Sequence, residues 1–358
     1  MTTGSLPRRS FLASTLASLG PLSATIHAAA PTPGKIRIGQ IGVGHAHATK
    51  LSVYRSSPDY EVVGFVESDP QLRERARTLP AFRDLPSLSQ EQLLNLPGLD
   101  AVLVETRVRD SLNAAEACIA AGKHVHLDKP AGESLPQFSA ILAAATEKNL
   151  LLQMGYMYRY NPGVTLLRHI LKQGWLGQIF DVQTVISKVV PPADRLELAQ
   201  YSGGIMFELG CHVMDLVIHI LGEPASVTAF QRHSAPLDDA LSDNMLAVLQ
   251  YPGALATVRA TAQEIDGGNR RHITVCGTAG TFHLQPLDQP SARITLDTPR
   301  DTFVAGTQDV TLPRYTRYVD DAADMARILR GEKASDFPPS HDLAVQRTLL
   351  QACALPLD

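Results

Sequence analysis

Cysteine is scarce in this chain. Its 358 residues include four, Cys118, Cys211, Cys276 and Cys353. No two stand at the short spacing of a metal-binding pair, and a chain of this length needs no disulfide framework to fold. Long apolar runs are missing too, and none reaches the roughly 20 residues of a membrane-spanning helix. Positive charge is thin: the formal net charge is −4, and the densest basic group is Arg270, Arg271 and His272. A nucleic-acid partner, which requires a clustered positive face, is therefore not expected. Against these absences stand 44% apolar and 19% charged residues, the balance of a soluble globular protein long enough for two domains.

Residues 1–30 read as a segment outside the fold. Arg8-Arg9-Ser10-Phe11-Leu12, a modest apolar stretch and Ala28-Ala29-Ala30 follow in the order of a twin-arginine export signal. A flexible basic tail with a chance Arg-Arg pair is the plainer alternative. The expectation is export to the periplasm or another extracytoplasmic space.

Residues 31–155 read as a nucleotide-binding domain. A β-branched run at 35–41 ends in Gly42-Val43-Gly44, a helical pattern follows, and a second strand at 61–66 ends at Glu67. Gly42 permits a tight turn and Gly44 lets the backbone approach a pyrophosphate, with His45 and Ala46 next in the turn. Glu67 is placed to accept from an adenosine ribose, which favours NAD over its 2′-phosphorylated form. His47 occupies the place of the third glycine, so a wider turn is expected. Strands at 101–105, 124–127 and 150–155 alternate with helices at 70–78, 88–95, 110–121 and 134–148, as in a doubly wound parallel sheet. Thr106 and Asp128-Lys129-Pro130 follow strand ends, where such sheets bind ligands. The Lys129 ammonium would then lie near the nicotinamide; its plain reading is a surface lysine in a turn.

Residues 156–358 change texture. A helix at 161–173 and a strand at 178–189 precede a helix at 202–222. Strands at 225–233, 243–251, 254–264, 272–277 and 281–285 follow. They predict an α+β domain with a large, mainly antiparallel sheet. The stretch 286–310 is poorly patterned and reads as an excursion at a sheet edge. Two helices, at 313–330 and 340–352, close the chain.

The helix at 202–222 carries the densest chemistry. Ser202 can cap its start, Gly222 and Pro224 can stop it, and Ile205, Met206, Leu209, Val213, Leu216, Val217 and Ile220 form its apolar face. Glu208, His212 and Asp215, four and then three residues apart, would stack on one side. They could form a proton-transfer site or a half-buried charge stripe. His219 could extend them to a metal-ligand set, although its spacing beside the apolar face suits a packed histidine better. His45, His47, His124 and His126 are read as lining or packing groups. No metal is expected.

Together these segments resemble the Gfo/Idh/MocA family, named for glucose–fructose oxidoreductase and inositol dehydrogenase. The resemblance rests on the G-x-G turn, Gly122-Lys123-His124-Val125 leading to Asp128-Lys129-Pro130, Arg159-Tyr160-Asn161-Pro162, and above all Gly203-Gly204 through Glu208, Gly210, His212 and Asp215. It implies a Rossmann domain joined to a domain with an open sheet, association of copies through that sheet, and NAD(P)-dependent chemistry on sugars or polyols. It makes Lys129 and His212 catalytic, with Glu208 at the neighbouring acidic position and Asp215 a support of the helix. Tyr158, Arg159 and Tyr201 are candidate substrate-lining residues. Asp128 stands where the family has glutamate, Glu208 where it has aspartate, and Thr106-Arg107 and Ser111 where it has Thr-Pro and histidine.

Export sharpens what the resemblance implies. Without a soluble NADH pool, the cofactor would remain bound and be restored in each turnover. The reaction would then couple two sugar redox steps. The alternative is an NAD-dependent glycosidase working by transient oxidation, elimination, hydration and re-reduction. A non-catalytic sugar-binding protein is disfavoured by the presence of both Lys129 and His212.

Overall fold

A computed structural model describes residues 34–358; the expected export signal lies outside them. Strands β1 (Ile36–Ile41), β2 (Tyr60–Val66), β3 (Ser87–Leu88), β4 (Ala101–Val104), β5 (His124–Leu127) and β6 (Leu152–Met154) form one sheet. Their order is β3-β2-β1-β4-β5-β6, with neighbours parallel throughout. All of β4 is buried, as a strand covered on both faces must be, which is why it reads as an unbroken apolar run. Local chemistry starts the crossover helices. Asp69 accepts from the amides of Gln71 and Leu72 ahead of helix Pro70–Thr78, and Ser89 and Gln92 close a reciprocal capping box. The strand order reverses between β1 and β4, which opens a crevice at their carboxyl ends.

The second sheet contains β7 (Ile179–Ser187), β8 (Ser226–Arg232), β9 (Asn244–Tyr251), β10 (Ala254–Thr261), β11 (His272–Gly277), β12 (Gly280–Leu284), β13 (Ala292–Leu296) and β14 (Gly306–Val310). The order is β14-β13-β12-β11-β7-β10-β9-β8, antiparallel except between β7 and β10. The mainly antiparallel sheet read from the sequence is therefore present, with two more strands than expected. β13 and β14 lie in the stretch 286–310 that showed no clear pattern. Ala292, Ile294 and Leu296 are buried and Arg293 and Thr295 exposed, but five residues are too few for that alternation to stand out.

Helices Cys211–Leu221 and Pro339–Ala352 pack against each other and against this sheet. On the opposite face, Phe180, Phe230 and Leu255 are about half exposed. Helix Val319–Leu329 returns to the first sheet: Ala322, Met325 and Ala326 share a core with Ile38, Leu51, Tyr54 and Tyr60. There the Tyr60 hydroxyl donates to the Ala322 carbonyl at 2.6 Å. Residues 156–358 thus contribute to both cores. No helix among the described residues is long and apolar enough to cross a membrane.

Candidate active site

The glycine turn lies at the switch point. Gly42 has φ +89°, and a Cβ there would meet the Thr106 backbone at 2.5 Å, so the turn and the end of β4 touch at a distance only glycine allows. Beside them opens a cleft of about 860 Å³, lined by Gly42, Gly44, Glu67, Asp69, Thr106 and Arg107 among others. Its place and volume fit a dinucleotide. Glu67 braces the turn as it lines the cleft: its carboxylate accepts from the Val43 amide at 2.9 Å and the Asp69 amide at 3.0 Å. With His47 in place of a third glycine, a short 3₁₀ turn, Ala48–Lys50, precedes the helix Leu51–Ser56.

His45 takes a different place from the one its position in the turn suggests. Its amide donates to the Glu105 carbonyl, and its Nδ1 lies 3.0 Å from Asp128 Oδ2. Ala46 is exposed. The His45 side chain thus joins a buried charge cluster under the turn. Lys50 Nζ is 2.9 Å from Asp128 and 3.0 Å from Glu105, and His47 Nδ1 is 3.2 Å from Asp128. Burial alone would lower the pKa of His45, but Asp128 and Glu105 outweigh it and raise the group to about 9. His47 goes the other way: burial wins over Asp128 and brings it down to about 4. Burial would likewise raise Asp128, yet His45 and Lys50 hold it well below the usual carboxylate range.

Asp128 also accepts from the Lys129 amide at 2.7 Å, which aims the lysine away from the cluster. Lys129 Nζ donates to the Glu208 carbonyl oxygen and to Glu208 Oε1, both at 2.9 Å. Glu208 lies in a π-helical turn, Met206–Gly210, that leads into helix Cys211–Leu221. Such an insertion re-aims side chains and is frequent at functional sites. His212, 2% exposed, has its ring centroid 5.6 Å from that of Tyr158 and 6.0 Å from that of His47. Its Nδ1 has no hydrogen-bond partner among the described residues. Burial first, then the charge of Lys129, keeps His212 well below the ordinary histidine range, so its imidazole is neutral.

The expected single stripe of Glu208, His212 and Asp215 is divided. Asp215 is buried in the core, accepting from Arg159 Nε and Nη2 and lying 2.9 Å from His341 Nε2. Arg159 reaches on to Asp342 at 2.5 Å and lies over Phe337. Arg159, expected to line the substrate pocket, is instead a paired core residue, as a buried guanidinium must be. Tyr158 does stand beside His212, and its hydroxyl donates to Asp288 at 2.7 Å. Tyr201 packs near Phe207 under the Arg109 guanidinium. Among the described residues two groups reach ligand-like proximity, His45–His47–Asp128 and Asp215–His341–Asp342, and each already holds a cation, Lys50 in one and Arg159 in the other. His219 lies against Phe337 and His341, apart from Glu208.

Several site residues carried no sequence signal of their own. Lys50 and Glu105 follow the glycine turn and a strand end, and that proximity was the available clue. Lys188, Arg271, Asp288 and Arg317 converge from separate loops, which no spacing reveals.

Residues 36–156 match a family model described as an oxidoreductase family with an NAD-binding Rossmann fold, and 164–283 match a GFO/IDH/MocA C-terminal domain. The chain is 26% identical to bovine (Bos taurus) trans-1,2-dihydrobenzene-1,2-diol dehydrogenase over 70% of its length and 74% of that protein. It is 25% identical to myo-inositol 2-dehydrogenase of Thermotoga maritima, over 76% and 79%. An Agrobacterium radiobacter oxidoreductase, solved with NAD⁺, L-tartaric acid and magnesium, has a similar fold: TM-score 0.77, 16% identity, covering 90% of this chain and 97% of that one.

Proposed function

The chain belongs to the Gfo/Idh/MocA oxidoreductase family, and from that premise we propose that it is an exported NAD-dependent oxidoreductase acting on a CH–OH group of a sugar or polyol. The observation that carries the reading is a neutral His212 with Nδ1 unpartnered, four residues after the Glu208 that holds the Lys129 ammonium, in a chain whose glycine turn lines a dinucleotide-sized cleft. Gly42, Gly44, Glu67 and Thr106 would hold the cofactor, and the Glu67 carboxylate supports NAD over a 2′-phosphorylated form. Bound there, NAD supplies the hydride acceptor, and in an exported enzyme it is retained and restored within each turnover.

His212 takes the proton of the substrate hydroxyl at an imidazole nitrogen, which its low pKa keeps free. Lys129 has three N–H donors, two of them spent on Glu208. The third is available to the same substrate oxygen and stabilises the negative charge that develops on it. Glu208 holds that ammonium in place and, with 16% of its side chain exposed, positions a neighbouring hydroxyl. Asp215 holds the helix from behind. Phe230 and Leu255, about half exposed on strands of the second sheet, support association of copies through it.

The test is the mass spectrum and nicotinamide absorbance of the protein as purified, before and after adding polyols and sugars. Retained NAD that becomes reduced on addition of a sugar is expected. A protein that releases aglycone from nitrophenyl glycosides instead is a glycosidase, and one without retained NAD does not recycle it.

A further inference from the structure

The substrate side of the site holds more positive charge than its own carboxylates answer. Lys129 is paired with Glu208, while Arg271 and Arg317 share the single carboxylate of Asp288. Asp288 also accepts from the hydroxyl of Tyr158, whose ring stands beside His212, so this pair of arginines belongs to the same wall. A fourth cation, Lys188, has no ion-pair or side-chain hydrogen-bond partner among the described residues. It lies within Coulombic reach of Glu208, Lys129 and Arg271, and burial together with the two like charges pushes its pKa down. The remaining carboxylate in reach, Asp194, is exposed, where solvent screens it.

Lys188 is not a loosely tethered surface lysine. It directly follows β7, its amide donates to the Thr261 carbonyl at 3.1 Å, and Arg271 Nε donates to the carbonyl of the preceding Ser187. Gly267 presses on the same peptide, where a Cβ would meet the Ser187 carbonyl oxygen at 2.6 Å. The backbone that carries the ammonium is thus held from both sides. Lys188 is also not one of the residues that line the dinucleotide-sized cleft, all of which lie between Ile41 and Ala114. A neutral sugar closing over Lys188 would strip its water without replacing it, whereas an anion would answer the charge.

We propose that this site takes a monosaccharide bearing an anionic group, a carboxylate or a phosphate ester, and that Lys188 is the residue that pairs with it. The inference rests on the oxidoreductase reading and names its substrate class. It is tested by titration calorimetry on the full NAD-loaded protein with D-glucuronate, D-glucose 6-phosphate and D-glucose, and with the matching galactose and mannose sets. At least one charged sugar should bind about tenfold or more tightly than its neutral parent, the scale of one charge-assisted contact. Tighter binding of the uronate or of the phosphate tells which anion the site takes. Lys188→Gln should bring the affinity ratio near one, and Lys188→Arg should keep most of it. Equal affinity for charged and neutral sugars, binding of no charged sugar, or an unchanged ratio in Lys188→Gln overturns the proposal. Nicotinamide absorbance in the same samples judges the oxidoreductase reading separately, because a charged sugar can bind preferentially without being oxidised.

Discussion

Two buried charge clusters meet the helix Cys211–Leu221, and they are completed to different degrees. In the core, Asp215 is held by Arg159 and His341, and Arg159 is answered a second time by Asp342, so each charge has an opposite. On the cleft side, Lys129 is paired with Glu208 but keeps one donor free, and His212 leaves Nδ1 without a partner. A buried charge answered by an opposite charge within the core holds the structure. One that leaves a donor or lone pair free, beside an opening, can act on a ligand.

Substitutions can break that comparison. The largest effect on rate is expected from Lys129→Ala or His212→Ala, with sugar oxidation falling about 10²–10⁴-fold in single-turnover assays while NAD stays bound. Retained activity in both variants would remove them from the chemistry. Asp215→Ala should act on stability instead. Leaving Arg159 partly uncompensated in the core is expected to cost about 3–5 kcal/mol in denaturant unfolding. A stability close to that of the parent would mean that the core cluster is not structural.

Glu208→Asp shortens the carboxylate that reaches Lys129 and is expected to lower kcat/KM about tenfold, with a smaller loss in stability. The smallest effect concerns pH. His45 has its folded pKa raised to about 9, so the stabilisation from its charge is complete below about pH 6.5 and is lost as pH rises through 9. Melting temperature should decline across that window, and His45→Gln should flatten the decline. A wild-type decline of the same slope in His45→Gln would assign the effect to another group.

Much of this architecture is legible along the chain. The helix expected at 70–78 is Pro70–Thr78, and strand His124–Leu127 has the bounds that its pattern suggests. The site is legible in part. Lys129 and His212 stand out by motif, but helical spacing put Asp215 in the same stripe as His212. It could not show the π turn before Cys211 or the guanidinium waiting behind the helix. Arg159, read as substrate-lining, lies in the core for the same reason: its partners are 56 and 183 residues away, and no local pattern announces them.

By itself the sequence determined the local terms: the β-branched runs, the glycine turn that only a residue lacking a Cβ can make, and a family motif that binds several of these together. Each depends on interactions within a few residues or on one short-range steric rule. The tertiary structure alone decided which charges are compensated. It brought Lys50 and Glu105 to Asp128, returned helix Val319–Leu329 to the first sheet, paired β13 with β14, and left Lys188 without an ion-pair partner among the described residues. The physical reason is that the cost of a buried charge is set by what lies within a few ångströms in space, and distance along the chain carries almost no information about that.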